Sequence, residues 1–422
     1  MLMPVNRTGE NPKWTSALPY YDDFYCIWDT YRATHPLLTL IQQKEQVAMI
    51  NSLLDIYKQE GFMPDARSGN YTGRTQGGSN TDVLIADAYV KGLEGIDYNA
   101  ALQAMLKNAE VPPGGDERKW GRGGLRDYNT IGYVSTDFER AGSRTMEYAY
   151  NDYCIALVAK GLGRDSIYRK YIAGSQKWKN IWNPKISSNG FTGFIWPRKK
   201  NGSWDPAWNV HKSEGWRGWL YEGNSWEYSL YVPHDVPGLI TKAGGTVSFV
   251  KRLDTFFTKN AQTFHSWLND YYNVNNEPGF LAPALYNYAG KPWRTTETVR
   301  KIISNNYTTK PDGLPGNDDA GSMSAWYAFH AMGFFPVAGQ DLYLITAPLF
   351  DSVTIDLGEG KLFTVKCNAL NDTNRYIKSA TLNGKTLDRS WFRHSEIKNG
   401  GVLEFQMTSY PSSWASTPIT IK

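Results

Sequence analysis

With 422 residues, and 45 basic side chains against 41 acidic ones, the chain can fill one large core and a satellite domain, and its balanced charge excludes nucleic acid or an anionic membrane as a partner chosen by charge. Cys26, Cys154 and Cys367 are too few and too scattered for a disulfide framework or a zinc cluster, although one bridge remains open; no stretch is long and apolar enough to span a bilayer. Aromatic residues reach 14%, with 16 Trp and 27 Tyr, which either fill a helical core or stack on the apolar faces of sugar rings.

The first residues, Met1-Leu-Met-Pro-Val, run straight into polar sequence without a signal-peptide pattern, so the start reads as an internal boundary. Asn6, Asn70, Asn201, Asn306 and Asn371 each open an Asn-x-Ser/Thr triplet that permits glycosylation in a secretory pathway. Apolar residues from Leu37 to Tyr57 recur at three- and four-residue spacing, which predicts a helix over 36–61 ending at Gly61. A second helix runs from an N-cap at Asn80 to Gly92. Further helices are predicted at 98–109, 143–162, 165–181, 224–242, 246–259, 261–272, 281–287, 295–305 and 320–333, with almost no strand signal before residue 340. Beyond it the pattern changes. Short β-rich runs at 342–345, 352–356, 362–366, 380–382 and 402–405, with a hairpin turn at Asn383-Gly384, predict a small β domain over 341–422 appended to an all-α body over 1–340. Helices joined in pairs suit a closed α/α toroid.

Four segments concentrate acidic, amide and aromatic residues in loops or at helix starts, where function tends to reside. In Tyr20–Arg32, Asp29 and Arg32 share a helix face beside Trp28, and spacing alone favours a structural salt bridge. In Gly73–Asp82, Gly77 and Gly78 precede a helix; without a P-loop lysine or a preceding strand, a plain helix cap is the default over a phosphate site. In Tyr221–Asp235, Glu222 sits beside a glycine, before a helix with Asn224 as N-cap and near Trp226. A carboxyl in a dry corner has the raised pKa that a general acid needs, while capping chemistry accounts for such a glutamate equally well. Glu227, one turn on, is either a second acid or a structural partner. In Pro311–Trp326, adjacent Asp318 and Asp319 repel unless a cation, a helix start or a shared proton compensates them. Calcium binds oxygen-only clusters of this kind, but the EF-hand spacing is absent, so a calcium site here has to be assembled from separate loops.

Taken together, the stretches 4–12, 21–30, 77–82 with Ala86-Asp87, 222–228 with 232–235, 276–278, 286–290 and 313–326 resemble glycoside hydrolase family 92, the calcium-dependent exo-α-mannosidases, in order along essentially the whole chain. The resemblance implies a mainly α fold, an (α/α)6 toroid with a small C-terminal β domain, preceded in the family by an N-terminal β-sandwich that this chain lacks. It implies secreted, periplasmic or extracellular hydrolysis of terminal α-linked mannose on N-glycans or mannans, with inversion and with Ca2+ assistance. Glu222 matches the general acid, with Glu227 as second choice. Asp319 matches the base that activates water. Some relatives carry a further aspartate where this chain has Asn317, which leaves Asp318 as the possible helper. Glu277 and Asp318 are candidate calcium ligands, and Trp28, Asp29, Arg32 and Asp87 look like parts of the mannose pocket, with Asn276 and Glu277 also facing substrate. Members selective for α-1,2 bonds tend to carry His where Asn276 stands, which points away from strict α-1,2 selectivity. The competing readings are another α/α-toroid glycosidase or phosphorylase and an inactive sugar-binding fragment.

Overall fold

In a computed structural model of the chain, residues 14–18, 23–24, 26–68, 71–258 and 270–421 are described. The stretch 4–12, residues 21, 22 and 25, the triplets at Asn6 and Asn70, and the helix predicted over 261–272 except its last residues fall outside them.

The architecture is mainly helical, with a small β region at the C-terminal end. Its centre is the helix Ala141–Gly161, buried on nearly every side and packed against Thr81–Lys91, Tyr98–Glu110 and Asp165–Gly174. A helix surrounded in this way keeps its polar groups only by pairing them. Within it, Asp152 takes Arg122 at 2.6 Å and Glu147 takes Arg32 at 2.8 Å. The first core gathers around this helix, while a second joins the C-terminal sheet (Phe363, Phe405) to Trp326 and Phe329 of the helix Ser322–Met332. The loop bearing Glu222 hangs from the first core through Tyr221, Trp226 and Tyr228; the loop bearing Asp319 leads into a helix of the second.

Glycine stops lie where the sequence places them: Gly61 and Gly92 adopt left-handed conformations that close their helices. Elsewhere local signals mislead. The helix predicted over 36–61 breaks at Gln42 into Thr34–Ile41 and Gln43–Glu60. The one over 224–242 splits into Ser225–Tyr228 and Val236–Lys242, with Pro233 in the gap, where a helix interior would lack an N–H. Asn80 stands at the N-cap position of its helix as expected, but its side-chain oxygen accepts from Asn151 and not from the helix N–H groups. A hairpin, Trp182–Ser188 with Phe191–Ile195, occupies a region expected to be helical or looped. Its turn at Asn189-Gly190, with φ of 51° and 81°, is the signal that was passed over.

The main C-terminal sheet orders its strands Lys385–Thr386, Tyr376–Leu382, Gly401–Thr408, Leu362–Asn368 and Ser352–Asp356, antiparallel except for the pair Gly401–Thr408 and Leu362–Asn368. Leu382 pairs with Lys385 across the Asn383-Gly384 turn, as expected. A second ladder pairs Phe334–Pro336 with Tyr343–Ile345 and so crosses the seam expected at 340/341. All three cysteines are buried and free, so the open disulfide is not formed. Asn201 and Asn371 are exposed, whereas Asn306 is half-buried at a helix end.

His330 is a defect in the second core. It lies between Trp326 (4.2 Å between ring centroids) and Phe335 (4.7 Å), and neither ring nitrogen has a hydrogen-bond partner. Burial lowers its pKa to about 3. The unfolded chain therefore takes up a proton near pH 6.5 that the folded chain refuses, and stability falls as the pH drops from about 6.5 towards 3. Replacing His330 by Phe is expected to raise unfolding free energy at neutral pH by about 1–2 kcal/mol. It should also remove up to about 1.4 kcal/mol per pH unit of the acid loss. Urea denaturation near pH 7 and near pH 5 measures both; an unchanged midpoint at the higher pH rules out this account.

Candidate active site

At the junction of the two cores a cavity of about 250 Å³ opens between loops far apart in sequence. Of the residues singled out from the sequence, Asp29, Glu222, Asn276 and Asp319 line it together.

Glu222 follows Tyr221 and precedes the short helix Ser225–Tyr228, which Asn224 caps by accepting from Glu227 N at 3.1 Å. Its backbone is left-handed, with φ of 49°. Asp319 and Ala320 are left-handed too, at 45° and 56°. Side chains with a Cβ adopt this conformation at a cost of about 1–2 kcal/mol each, and such strain gathers where function holds it. Hydrogen bonds hold the Glu222 loop in place: the Trp216 indole N–H donates to its carboxylate, Asn276 Nδ2 donates to its backbone carbonyl, and its own N–H donates to the Gly215 carbonyl at 3.3 Å. The same Asn276 amide donates to Glu227 Oε2 at 2.7 Å.

The site is crowded with carboxyl groups, and burial pushes every one of them upward. Burial raises Glu222, with the charge of Asp319 adding to it and the Trp216 N–H opposing. Burial raises Asp319 as well, and a hydrogen bond from Glu277 opposes. Glu277 lies within hydrogen-bonding reach of both Asp29 and Asp319; burial and the Asp29 charge hold it far above the usual carboxylate range. Such a cluster calls for either a proton or a cation. Among the described residues no group of three or more His, Cys, Asp or Glu converges to hold a metal ion. Yet among the described residues the buried oxygens Gln76 Oε1, Asn273 Oδ1, Asn275 Oδ1 and Glu277 Oε1 have no donor, an oxygen-only set that fits a hard cation rather than a soft one.

Several expected site residues serve elsewhere. Trp28 is fully buried behind the wall, edge-on to Tyr221 at 4.9 Å, and Gly77 is small because a Cβ there would lie 2.8 Å from the Trp28 indole nitrogen. Gly78 similarly makes room for Glu147, so the glycine pair serves packing, not a phosphate. Arg32 does not reach the cavity and does not pair with Asp29; it pairs with Glu147 beneath the rings of Trp28, Tyr31 and Tyr231. Asp87 pairs with Lys91 at 2.8 Å and accepts from Gly339 N, tying its helix to the chain near residue 339. Asp318 has both oxygens engaged by Ser324, at 2.9 Å from its N–H and from its hydroxyl, as part of the helix start. Glu227 and Glu277 are buried behind the surface that lines the cavity.

The sequence reading missed Cys26, Gln76, Trp216, Tyr221, Asn273 and Asn275 as lining residues; Asn317 also faces the cavity. Gln76 is placed by Asp65, whose two oxygens accept from Gln76 N and Asn80 N at 3.1 Å each. The amide-rich run Asn273-Val-Asn275-Asn276-Glu277 was the available signal for two of them.

If the Arg32–Glu147 pair is structural, breaking it leaves a buried charge. Arg32→Met and Glu147→Gln should each cost about 3–5 kcal/mol in urea denaturation. The double variant should lose clearly less than the sum. Strictly additive losses would show that the two side chains act independently.

Residues 1–409 match the glycosyl hydrolase family 92 catalytic domain. The chain is 38% identical over 446 aligned positions to an uncharacterized secreted glycosidase of the fungus Arthroderma benhamiae, covering 99% of this chain and 52% of that protein. Its fold is similar to that of a family 92 inverting mannosidase from Bacteroides thetaiotaomicron (TM-score 0.83, 34% identity, 93% of this chain and 54% of that one). It is also similar to a family 92 α-mannosidase from the same bacterium in complex with mannoimidazole (TM-score 0.85, 32% identity, 95% and 53%). The chain thus spans about half the length of the relatives it matches, and no helix among its described residues is long and apolar enough to cross a membrane. On the extent and identity of these matches, the chain belongs to glycosyl hydrolase family 92.

Proposed function

We propose that this chain is the catalytic part of an inverting exo-α-mannosidase that removes terminal α-linked mannose from N-glycans or mannans outside the cell. The observation that carries the reading is the opening of Glu222 and Asp319, from loops rooted in different cores, onto one cavity. Glu222, whose pKa is raised by burial, gives its proton to the glycosidic oxygen as the bond to the anomeric carbon breaks. Asp319 takes a proton from the water attacking that carbon from the opposite face, which inverts the configuration. For a water to fit, the two carboxyls stand about 6.5–9.5 Å apart in such enzymes. Asp29 and Gln76, joined at 3.3 Å, face the sugar hydroxyls.

Calcium belongs to this proposal. Glu277, Asn273, Asn275 and Gln76 would hold it, and the ion supplies a positive centre that draws sugar hydroxyls to itself. Asp318, taken up by Ser324, is the weaker of the two ligands named from the sequence. The helical body over 1–340 is read as an (α/α)6 toroid, with the β unit over 341–422 at its side and a preceding β-sandwich closing the cavity. The linkage preference is read as other than strict α-1,2 because Asn276 stands where α-1,2-selective members tend to carry His.

Incubation with α-mannobioses of defined linkage is expected to release mannose, with the β-anomer appearing first by NMR. Release of glucose, of a sugar phosphate or of the α-anomer first would overturn the reading. Glu222→Gln should lower turnover of glycans about 10²–10⁴-fold and affect aryl mannosides with good leaving groups far less. If Glu227→Gln shows that pattern and Glu222→Gln does not, the acid is Glu227. Exhaustive chelation should abolish turnover, and added Ca2+ should restore it; activity that survives chelation removes the ion from the scheme.

A further inference from the structure

Beside the acidic cavity lies a second, larger one of about 470 Å³, and the two share Gln76, Trp216 and Tyr221 as a common wall. Its charge is opposite. Arg67, Arg74, Arg140 and Arg217 line it, and among the described residues no carboxylate does. Arg67 and Arg74 are matched by Glu60 at 2.8 Å and Glu139 at 3.4 Å. The other two are not matched. Arg140 is buried, donates to the backbone carbonyls of Trp216 and Thr75, and lies 4.4 Å over the Tyr221 ring, with no carboxylate among the described residues paired to it. Arg217 is exposed, adjacent to Trp216 in sequence, and likewise without an ion pair. A buried cation without a counter-charge is costly, and an arginine fork fits the oxygens of a phosphate or carboxylate.

The position of this groove gives the charge its meaning. Trp216 donates to the carboxylate of Glu222 and is 57% exposed, so one indole touches the acid and also walls the groove; Asp319 is not part of it. In an inverting hydrolysis the leaving group departs on the side of the acid, away from the base. We propose, building on the mannosidase reading above, that the groove receives the leaving sugar and selects one bearing an anionic substituent, a phosphomonoester or a carboxylate. Arg140 and Arg217 take the anion.

The test compares kcat/KM for three α-mannosyl disaccharides of one linkage: one with a neutral leaving sugar, one with that sugar phosphorylated on its primary hydroxyl, and one with a uronate in its place. At least one anionic substrate is expected to exceed the neutral one by about tenfold or more. Which of the two does so identifies the anion. The ratio should shrink with added salt and fall towards one in Arg217→Gln and in Arg140→Lys. Because each ratio is taken within one variant, a general loss of folded protein leaves it unchanged. Equal turnover of neutral and anionic substrates, or a preference untouched by both substitutions, overturns the proposal while leaving the mannosidase reading intact. No turnover of any of the three overturns that reading and this one with it.

Discussion

Four carboxyl groups, Asp29, Glu222, Glu277 and Asp319, meet in one small volume, where burial raises the pKa of each. That electrostatic constraint organises the rest of the site. Glu277 is one part of it, held far above the usual carboxylate range by burial and by the charge of Asp29. Trp216 settles another part by donating to Glu222. Oxygens of Gln76, Asn273 and Asn275 that lack donors complete a surface which attracts cations and hydroxyl groups and repels anions.

Such a cluster stays in place only if the scaffold behind it is rigid. Buried polar groups of the scaffold are paired: Arg32 with Glu147, Tyr231 with Glu147 at 3.0 Å, Arg122 with Asp82 and Asp152, and Asp65 with the backbone of Gln76 and Asn80. Those at Glu147 and Asp65 tie segments next to the site to the central helix or to its neighbours. Left-handed backbone at Glu222 is accompanied by the bonds from Trp216 and Asn276, and that at Asp319 and Ala320 by those between Asp318 and Ser324.

The acidic cavity and the arginine-lined groove beside it carry opposite charge. A single tryptophan, Trp216, forms the boundary. Its N–H serves the acidic side and its exposed face serves the basic one.

The sequence by itself determined what is local. Glycine C-caps at Gly61 and Gly92, the Asn383-Gly384 turn and the change from helical to strand periodicity near residue 340 depend on the backbone preferences of a few consecutive residues, and these were legible. The motifs also named the segments that build the site, Glu222 and Asp319 among them. Only the tertiary structure decided which member of each neighbouring pair faces the cavity. Asp318 and Asp319 are adjacent, yet one is tied to Ser324 and the other lines the hollow, because the backbone at Asp319 turns left-handed. Asp29 and Arg32 share a helical face on paper, but Arg32 finds Glu147, a residue 115 positions away that spacing rules could not supply. Side-chain direction in a loop is set by whatever distant element packs against it, and that information is held in contacts between segments rather than within any one of them.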